Sequence, residues 1–508
     1  MISVLKKKGV VVAGLVIFLL AGLVSLYNFW ILQDFTIIYT NDIHGRIGPS
    51  KRLVSQESDS AEEIGGFGSL ATYLEREDVP DDYILLDAGD FFHGTLEGER
   101  DYGEPVVKLM DELSCRAATI GNHDFHDGTA FLPQLAAAAG FPLLGANVLD
   151  ADTGRVVEGA EPNVVLECDG TKVGIVGITV PQYGMEGVEF APIVSTAKEQ
   201  VKLLQEEGAG LIILLTHLGL NPSDPESSPD YRLAKEVEGV DLIVGGHYHA
   251  IIDPPYVEPD SGTLVCQAGC HLTHVGRLDL KYNRITGRIA GYRNTITPLW
   301  LKDYPEDGRI AEMVAGDIRE TGEEANEVLG YARGNISGSW EVAAMGDLAA
   351  DLMREEARVD VAFINKSGVR DGIYRGEITR RDIYRVLPFS NELVCFDLSG
   401  EQLKNIMEED ASERGERLYF SGLTATYDMK KKPGERATDI KIDGVPMRDG
   451  ATYRVCTIDF LKDALPVLRG LHSVKNTGIK VRDLLERHVK DNYYVQALSK
   501  ERGIRELY

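Results

Sequence analysis

The sequence predicts an α/β domain followed by a smaller α+β domain, and three observations predict it. Between residues 34 and 300, short apolar runs alternate with stretches of helical period, the β-α-β rhythm of a sheet covered by helices on both faces. Five of those runs stop at a polar or glycine-containing turn that carries metal-binding side chains. From residue 331 to 508 the pattern changes to mixed helices, strands and a hairpin, with residues 301–330 between the two parts.

The five runs justify the first domain in order. Thr36-Ile-Ile-Tyr precedes Asp42-x-His44, Ile84-Leu-Leu-Asp-Ala precedes Gly89-Asp90, and Ala117-Ala-Thr-Ile precedes Gly121-Asn122-His123-Asp124. Leu211-Ile-Ile-Leu-Leu precedes Thr216-His217, and Asp241-Leu-Ile-Val precedes Gly246-His247-Tyr248-His249. Runs of this length between turns read as buried strands, and side chains at their C-terminal ends converge on one rim of a sheet, where open α/β sheets bind ligands. Helical period marks 65–77, 104–113, 130–140 and 195–207. Residues 302–329 are charged, with few large apolar residues beyond Ile310, Met313, Val314 and Ile318, and read as a solvated connecting helix. The second domain reads as a helix at 345–357, a strand at 359–364, a helix at 401–410, and a hairpin of 424–428 with 438–442.

Asp42, His44, Asp90, Asn122, His217, His247 and His249 together form a mixed nitrogen and oxygen ligand set. It suits two divalent transition ions, for which Zn²⁺, Mn²⁺ and Fe²⁺ all qualify. The formal net charge of −27 argues against binding a nucleic-acid polymer, which needs a basic surface. It leaves room for a small phosphorylated substrate, because metals and local arginines dominate the field inside one site. The six cysteines include no CxxC pair. Cys266 and Cys270, flanked by Gly269, His271 and His274, read as small apolar residues at the end of a strand over 263–267, with a separate zinc site there as the alternative.

Residues 9–32 contain no charge and follow Lys6, Lys7 and Lys8. That length predicts a transmembrane signal anchor, and the lysines place the N-terminus inside and the body outside, as a single-pass protein of the cell membrane. A cleaved secretory signal is the alternative, and it places the body in the same compartment.

The order Asp-x-His, Gly-Asp, Gly-Asn-His-Asp, Thr-His, Gly-His-x-His resembles the calcineurin-like metallophosphoesterases. Thr40-Asn-Asp-Ile-His-Gly45, Ala88-Gly-Asp-Phe-Phe-His-Gly-Thr95 and Ala146-Asn147 resemble the branch of 5′-nucleotidases, UDP-sugar hydrolases and 2′,3′-cyclic-nucleotide phosphodiesterases. The resemblance continues at Asn365-Lys-Ser-Gly-Val-Arg370, Leu387-Pro-Phe-Ser-Asn391 and Tyr453-Arg-Val-Cys-Thr-Ile-Asp-Phe460. It implies a four-layer α/β-β/α sandwich followed by a substrate-binding domain. It also implies hydrolysis of nucleotide phosphoesters by a hydroxide bridging two metals, with cyclic nucleotides or nucleotide sugars as alternative substrates. Asp90 would bridge, Asp42, His44 and His249 would hold one ion, and Asn122, His217 and His247 the other. His93, outside this set, is expected to matter little. His123 would stabilise the transition state. Asn365, Gly368, Arg370, Phe389, Asn391, Gly422 and Phe460 would hold the organic part of the substrate, with the two phenylalanines stacking on a base.

Three positions depart from the family pattern. His126 stands where the family carries an aspartate that pairs with the histidine equivalent to His123, which leaves the role of His126 open. Phe460 is followed by Leu-Lys-Asp-Ala-Leu-Pro466 in place of Gly-Gly-Asp, and no arginine occurs over 338–346. A pocket without a ribose carboxylate and a phosphate arginine favours an ordinary nucleoside monophosphate less. A metal-containing binding or sensing protein with little turnover is the competing class.

Overall fold

The computed structural model describes residues 31–54, 60–76, 78–125, 128–182, 185–336, 344–412, 417–471, 473–496 and 504–507. The chain divides into two compact units, the first comprising Met1–Arg52, Glu62–His93 and Glu97–Glu320, and the second built mainly from Thr321–Tyr508.

Twelve strands organise the first unit: β1 (Leu32–Thr40), β2 (Ile84–Asp87), β3 (Cys115–Thr119), β4 (Leu143–Leu144), β5 (Asn163–Cys168), β6 (Thr171–Thr179), β7 (Leu211–His217), β8 (Leu242–Gly245), β9 (Tyr256–Val257), β10 (Leu264–Cys266), β11 (His274–Asn283) and β12 (Arg288–Pro298). They form two six-stranded sheets, in the orders β12-β11-β1-β2-β3-β4 and β9-β10-β8-β7-β6-β5. Strands β1-β2-β3-β4 of the first sheet and β10-β8-β7-β6 of the second run parallel, and the remaining pairs, β12-β11-β1, β9-β10 and β6-β5, are antiparallel.

Alternation along the strands explains why the runs are apolar throughout. Ile37, Tyr39, Ile84 and Leu86 meet Ile175, Ile213, Leu215, Leu242 and Val244 in a core between the sheets. The residues between them face outward: Ile38 and Leu85 pack under helices α1 (Phe67–Leu74), α2 (Glu104–Glu112) and α3 (Leu132–Ala139). Val176, Ile212, Leu214 and Ile243 pack under α4 (Ile193–Glu206) and α5 (Pro229–Glu236). Strands buried on both faces lose the polar alternation of a half-exposed sheet. The result is four layers, helix, sheet, sheet, helix, as the resemblance implies.

Two expectations change. The stretch over 302–329 contains α6 (Gly308–Glu320), whose Ile310 and Val314 are buried in the core beneath α1 and α2, so this helix packs on the first unit rather than standing in solvent. The anchor over 9–32 and the single-pass membrane localisation drawn from it are also corrected. Leu32 begins β1, with Asn283 of β11 as its partner, and among the described residues no helix is long and apolar enough to cross a membrane. The rest of that span, up to residue 30, lies outside the described residues.

The second unit has one continuous core. Its main strands are β13 (Val361–Asn365), β14 (Glu392–Ser399), β15 (Leu418–Ser421), β16 (Leu423–Asp428), β17 (Ala437–Ile442), β18 (Thr452–Ile458) and β19 (Lys475–Lys480). Five of them form a sheet in the order β15-β13-β18-β14-β19, while β16 and β17 make the expected hairpin. Helices α7 (Ala344–Ala357), α8 (Gly400–Asp410), α9 (Asp459–Ala464) and α10 (Val481–Asn492) contribute apolar side chains to the core. A capping box starts α8, with the Ser399 hydroxyl accepting from the Gln402 amide and the Gln402 side chain accepting from the Ser399 amide.

Candidate metal centre and substrate rim

All seven expected ligands sit on loops that leave the C-terminal ends of β1, β2, β3, β7 and β8, or at the end of β7 itself. The β1 and β2 loops run side by side, with Asp42 N–H donating to Gly89 O (2.9 Å) and His44 N–H to Asp90 O (2.8 Å). Five of the seven have left-handed backbone: Asp42 (φ 52°), His44 (51°), Asp90 (57°), His247 (74°) and His249 (55°). Such conformations cost of order 1 kcal/mol or more at a non-glycine residue and persist only where the surroundings over-determine them. Here the constraints come from buried side chains. Asn41 donates to Asp42 Oδ2 and to Gly269 O, each at 2.6 Å, and accepts from Ala268 N–H at 2.8 Å. Asp124 accepts from the amides of Asp90 (2.8 Å), Phe91 (3.0 Å) and Gly121 (2.8 Å), clamping the β2 loop to the β3 loop. Gly121 is required at that junction, because a Cβ there would lie 2.1 Å from Asp90 Oδ1.

The histidine tautomers define what the centre accepts. His217 Nδ1 lies 2.7 Å from Ala88 O, and His44 Nδ1 lies 2.9 Å from His93 O. A carbonyl only accepts, so both Nδ1 atoms carry a hydrogen and both Nε2 atoms are turned inward as the positions from which an ion would be held. His217 Nε2 then faces Asp90 Oδ2 at 3.1 Å, and His44 Nε2 faces His249 Nε2 at 3.1 Å with Asp42 Oδ1 at 3.9 Å. His249 Nε2 in turn lies 3.3 Å from Asp42 Oδ1. Imidazole and carboxylate atoms this close to one another need positive charge between them, which a proton or a metal ion can supply. Two groups of three have ligand atoms within 4.8 Å of one another, Asp42 with His44 and His249, and Asp42 with Asp90 and His217.

Electrostatics point the same way. Burial opposes charge on Asp90, yet the His217 and His123 imidazoles hold it well below the usual carboxylate range. Burial likewise opposes charge on His217, but the Asp90 carboxylate outweighs it and pushes His217 up to about 10. His247 is driven down to about 4 by burial and by His217. Its Nδ1 lies 2.9 Å from Asn122 Oδ1, and its amide donates to Asp42 Oδ2 at 2.9 Å, which brings the last two ligands to the same place. The residues present therefore fit divalent cations.

His123 donates its amide to Asp90 Oδ1 (2.8 Å), and its ring meets the His44 ring edge-on at 5.4 Å. It also stacks on His93, with centroids 5.8 Å apart and planes at 17°. His93 is buried, its carbonyl fixes the His44 tautomer, and its Nε2 is 3.6 Å from Glu99. The structure places His93 against both His44 and His123, outside the ligand set but in contact with it. His126 lies outside the described residues. Reading the motifs also passed over the role of Asp124; the signal available was its place in Gly-Asn-His-Asp, three residues beyond Gly121.

The second unit gathers six of its seven expected residues at one end of its sheet. Asn365 ends β13, Asn391 immediately precedes β14, and Phe460 lies in the first turn of α9 directly after β18. The register sets these at the same end, since β13 and β18 are parallel while Leu393 of β14 pairs with Ile458 of β18. Gly368 packs against Asn365, where a Cβ would come 2.7 Å from Asn365 Oδ1. The Arg370 guanidinium lies 5.4 Å from the centre of the Phe389 ring, and Phe460 is half exposed at 49%. Gly422 is the exception. Asn365 pairs with Leu418 and Ala362 with Ser421, so Gly422 belongs to the opposite end of the sheet, about 13 Å away at about 3.3 Å per residue. There it makes the turn from β15 to β16 at φ 81°, where a Cβ would meet Asp360 O at 2.1 Å. Its glycine is explained by that turn.

Buried carboxylates and imidazoles on the rim of a four-layer sandwich are the equipment of a metal-dependent phosphoesterase. Residues 35–250 match the calcineurin-like phosphoesterase family, and residues 324–468 match the 5′-nucleotidase C-terminal domain. The chain is 28% identical to the trifunctional nucleotide phosphoesterase protein YfkN of Bacillus subtilis over 85% of its own length, which is 32% of that longer protein. It is 26% identical to protein UshA of Yersinia enterocolitica, over 90% of this chain and 91% of the relative. The crystal structure of a 5′-nucleotidase precursor from Thermus thermophilus superposes with a TM-score of 0.82 at 27% identity, covering 94% of this chain and 99% of the other. The chain belongs to the calcineurin-like phosphoesterases that carry a 5′-nucleotidase C-terminal domain, and it is a metal-dependent phosphoric ester hydrolase.

Proposed function

We propose that this protein hydrolyses nucleotide phosphoesters with two divalent ions held by Asp42, His44, Asp90, Asn122, His217, His247 and His249. The observation that carries the metal assignment is the anchoring of both Nδ1 atoms on backbone carbonyls, which turns His44 Nε2 and His217 Nε2 toward Asp42, Asp90 and His249. Asp90 would be the carboxylate shared by the two ions; its Oδ2 lies 3.1 Å from His217 Nε2 and its Oδ1 accepts from the His123 amide. When bound, such ions supply an ionised water and a counter-charge for phosphoryl oxygens. His123, held between the rings of His44 and His93, is placed to donate to a phosphoryl or leaving oxygen.

The substrate half of the proposal rests on the end of the second sheet. Arg370 beside Phe389 offers a cation and an aromatic face together, and Phe460 offers a second exposed ring. Stacking a base on such a ring is worth about 1–3 kcal/mol. The names of the relatives, 5′-nucleotidase and nucleotide phosphoesterase, support the nucleotide class. The test is a panel of nucleoside monophosphates, cyclic nucleotides, nucleotide sugars and an aryl phosphate, assayed with Mn²⁺ on the native protein and on Phe389→Ala. The expected result is nucleotide turnover whose KM rises about tenfold in the variant, with aryl phosphate unchanged. Equal handling of every substrate by both proteins would remove the nucleotide reading. Absence of turnover with tight nucleotide binding would favour a binding protein.

A further inference from the structure

Cys395 on β14 stands directly opposite Cys456 on β18 in antiparallel register. Side chains at directly opposed positions share a face of the sheet, with Cα atoms about 4.5 or 5.5 Å apart depending on the type of pair. Either separation falls within the roughly 4.4–6.8 Å that a disulfide spans. The two side chains lie beside each other across the strands, and the Cys456 thiol donates to Thr457 O at 3.7 Å. The two cysteines differ in access, since Cys456 is fully buried in the core while Cys395 is only partly covered. Lys475 of β19 is the Cα partner of Cys395 on its other side, and Arg454 lies two residues before Cys456. The adjacent Cys456 thiol, and to a lesser degree these two cations, hold the Cys395 thiol down at about 7 against its burial. A thiolate with cationic neighbours and partial access has the character of a reactive cysteine, and the buried thiol in contact with it has the character of a resolving one.

We propose that Cys395 and Cys456 form a redox dithiol that reacts with low-molecular-weight disulfides and closes into a cross-strand disulfide. In the first step the Cys395 thiolate attacks one sulfur of glutathione disulfide, the S–S bond of the reagent breaks, and one glutathione thiolate leaves and takes up a proton. In the second step the Cys456 sulfur attacks Cys395 and its proton passes to the departing glutathione sulfur. The mixed S–S bond breaks, and a second glutathione leaves. The protein dithiol is oxidised by two electrons and glutathione disulfide is reduced by two. Opposed Cβ atoms in a sheet sit about 4.5–5.5 Å apart, wider than the roughly 3.8 Å typical of a disulfide, so the bond draws the strands together and is readily reduced. β14 follows Phe389 and Asn391, and β18 leads into Phe460, so the bond would staple the two strands that carry these residues.

The test uses the full chain, reduced and then exposed to excess glutathione disulfide under native conditions. Thiols are counted in denaturant and peptides are mapped without reductant. The native protein is expected to lose two of its six thiols, to yield a Cys395–Cys456 cross-linked peptide, and to recover all six with dithiothreitol. Cys456→Ala, with no resolving thiol, is expected to hold a stable glutathione adduct at Cys395. Cys395→Ala is expected to take no adduct at Cys456. Retention of all six thiols by the native protein would overturn the proposal, as would an adduct at Cys395 that persists in the native protein without the cross-link.

Discussion

At the scale of single residues, candidate ligands could be picked out because metal chemistry restricts them to a few side chains, here placed directly after strands. Their supports were not, because a carboxylate in a turn looks the same in sequence whether it faces an ion or three amides. Asp124 is such a case. Replacing it with alanine leaves the buried amides of Asp90, Phe91 and Gly121 without their acceptor, at about 1–3 kcal/mol for each unsatisfied group. Outer partners of ligands typically matter by about 10–100-fold in metal affinity or activity. Asp124→Ala is therefore expected to weaken Mn²⁺ affinity, measured by titration calorimetry, by at least about tenfold while far-ultraviolet circular dichroism shows the fold retained. Unchanged affinity would show that the clamp is dispensable. His93 escapes a motif reading for a similar reason: the His44 tautomer depends on its backbone carbonyl, which no sequence motif advertises. His93→Ala keeps that carbonyl but removes the ring stacked on His123, so kcat is expected to fall several-fold with metal content unchanged. A kcat equal to the native value would show that the His93 ring matters little after all.

At the scale of elements, strands buried on both faces announced themselves by continuous apolar runs, and β1, β2, β3, β7 and β8 lie where those runs are. Helix α5 was not among the stretches of helical period read from the sequence. Gly422 was misplaced because a motif records which strand a residue follows and not which end of a sheet that strand reaches. Asp410 joins three elements of the second unit. From the end of α8 it accepts from the Leu418 amide of β15 at 2.6 Å and from the Tyr427 hydroxyl of β16 at 2.7 Å. Burial pushes its carboxyl up to about 6. The folded chain then holds a proton here between about pH 4 and pH 6 that the unfolded chain has released. Stability is therefore fullest below about pH 4 at this residue and declines as pH rises through about 6. The loss amounts to at most about 3 kcal/mol, since each pH unit between the unfolded and folded values contributes about 1.4 kcal/mol. Asp410→Asn removes the titration, so urea midpoints measured from pH 4 to 7 are expected to fall for the native chain relative to the variant. Parallel profiles would exclude the linkage.

At the scale of the molecule, the fold class was legible because each part carries its own rhythm, and the structure resolves them as two units with separate cores. The reading of residues 9–32 as an anchor drew on length and charge alone, and Leu32 shows how such a run merges into the first strand of a sheet. The acidity of the whole chain is consistent with a centre that works through its ions, because a chain of net charge −27 repels phosphates except where local cations gather. Seven ligand side chains exceed what one four- to six-coordinate ion can use while also binding water. The most direct measurement is metal content per chain after equilibration with excess Mn²⁺ and removal of free ion, with activity followed on the same samples. Two ions per chain are expected, falling to one or none with loss of activity in Asp90→Asn; one ion per chain in the fully active native protein would contradict a two-metal centre.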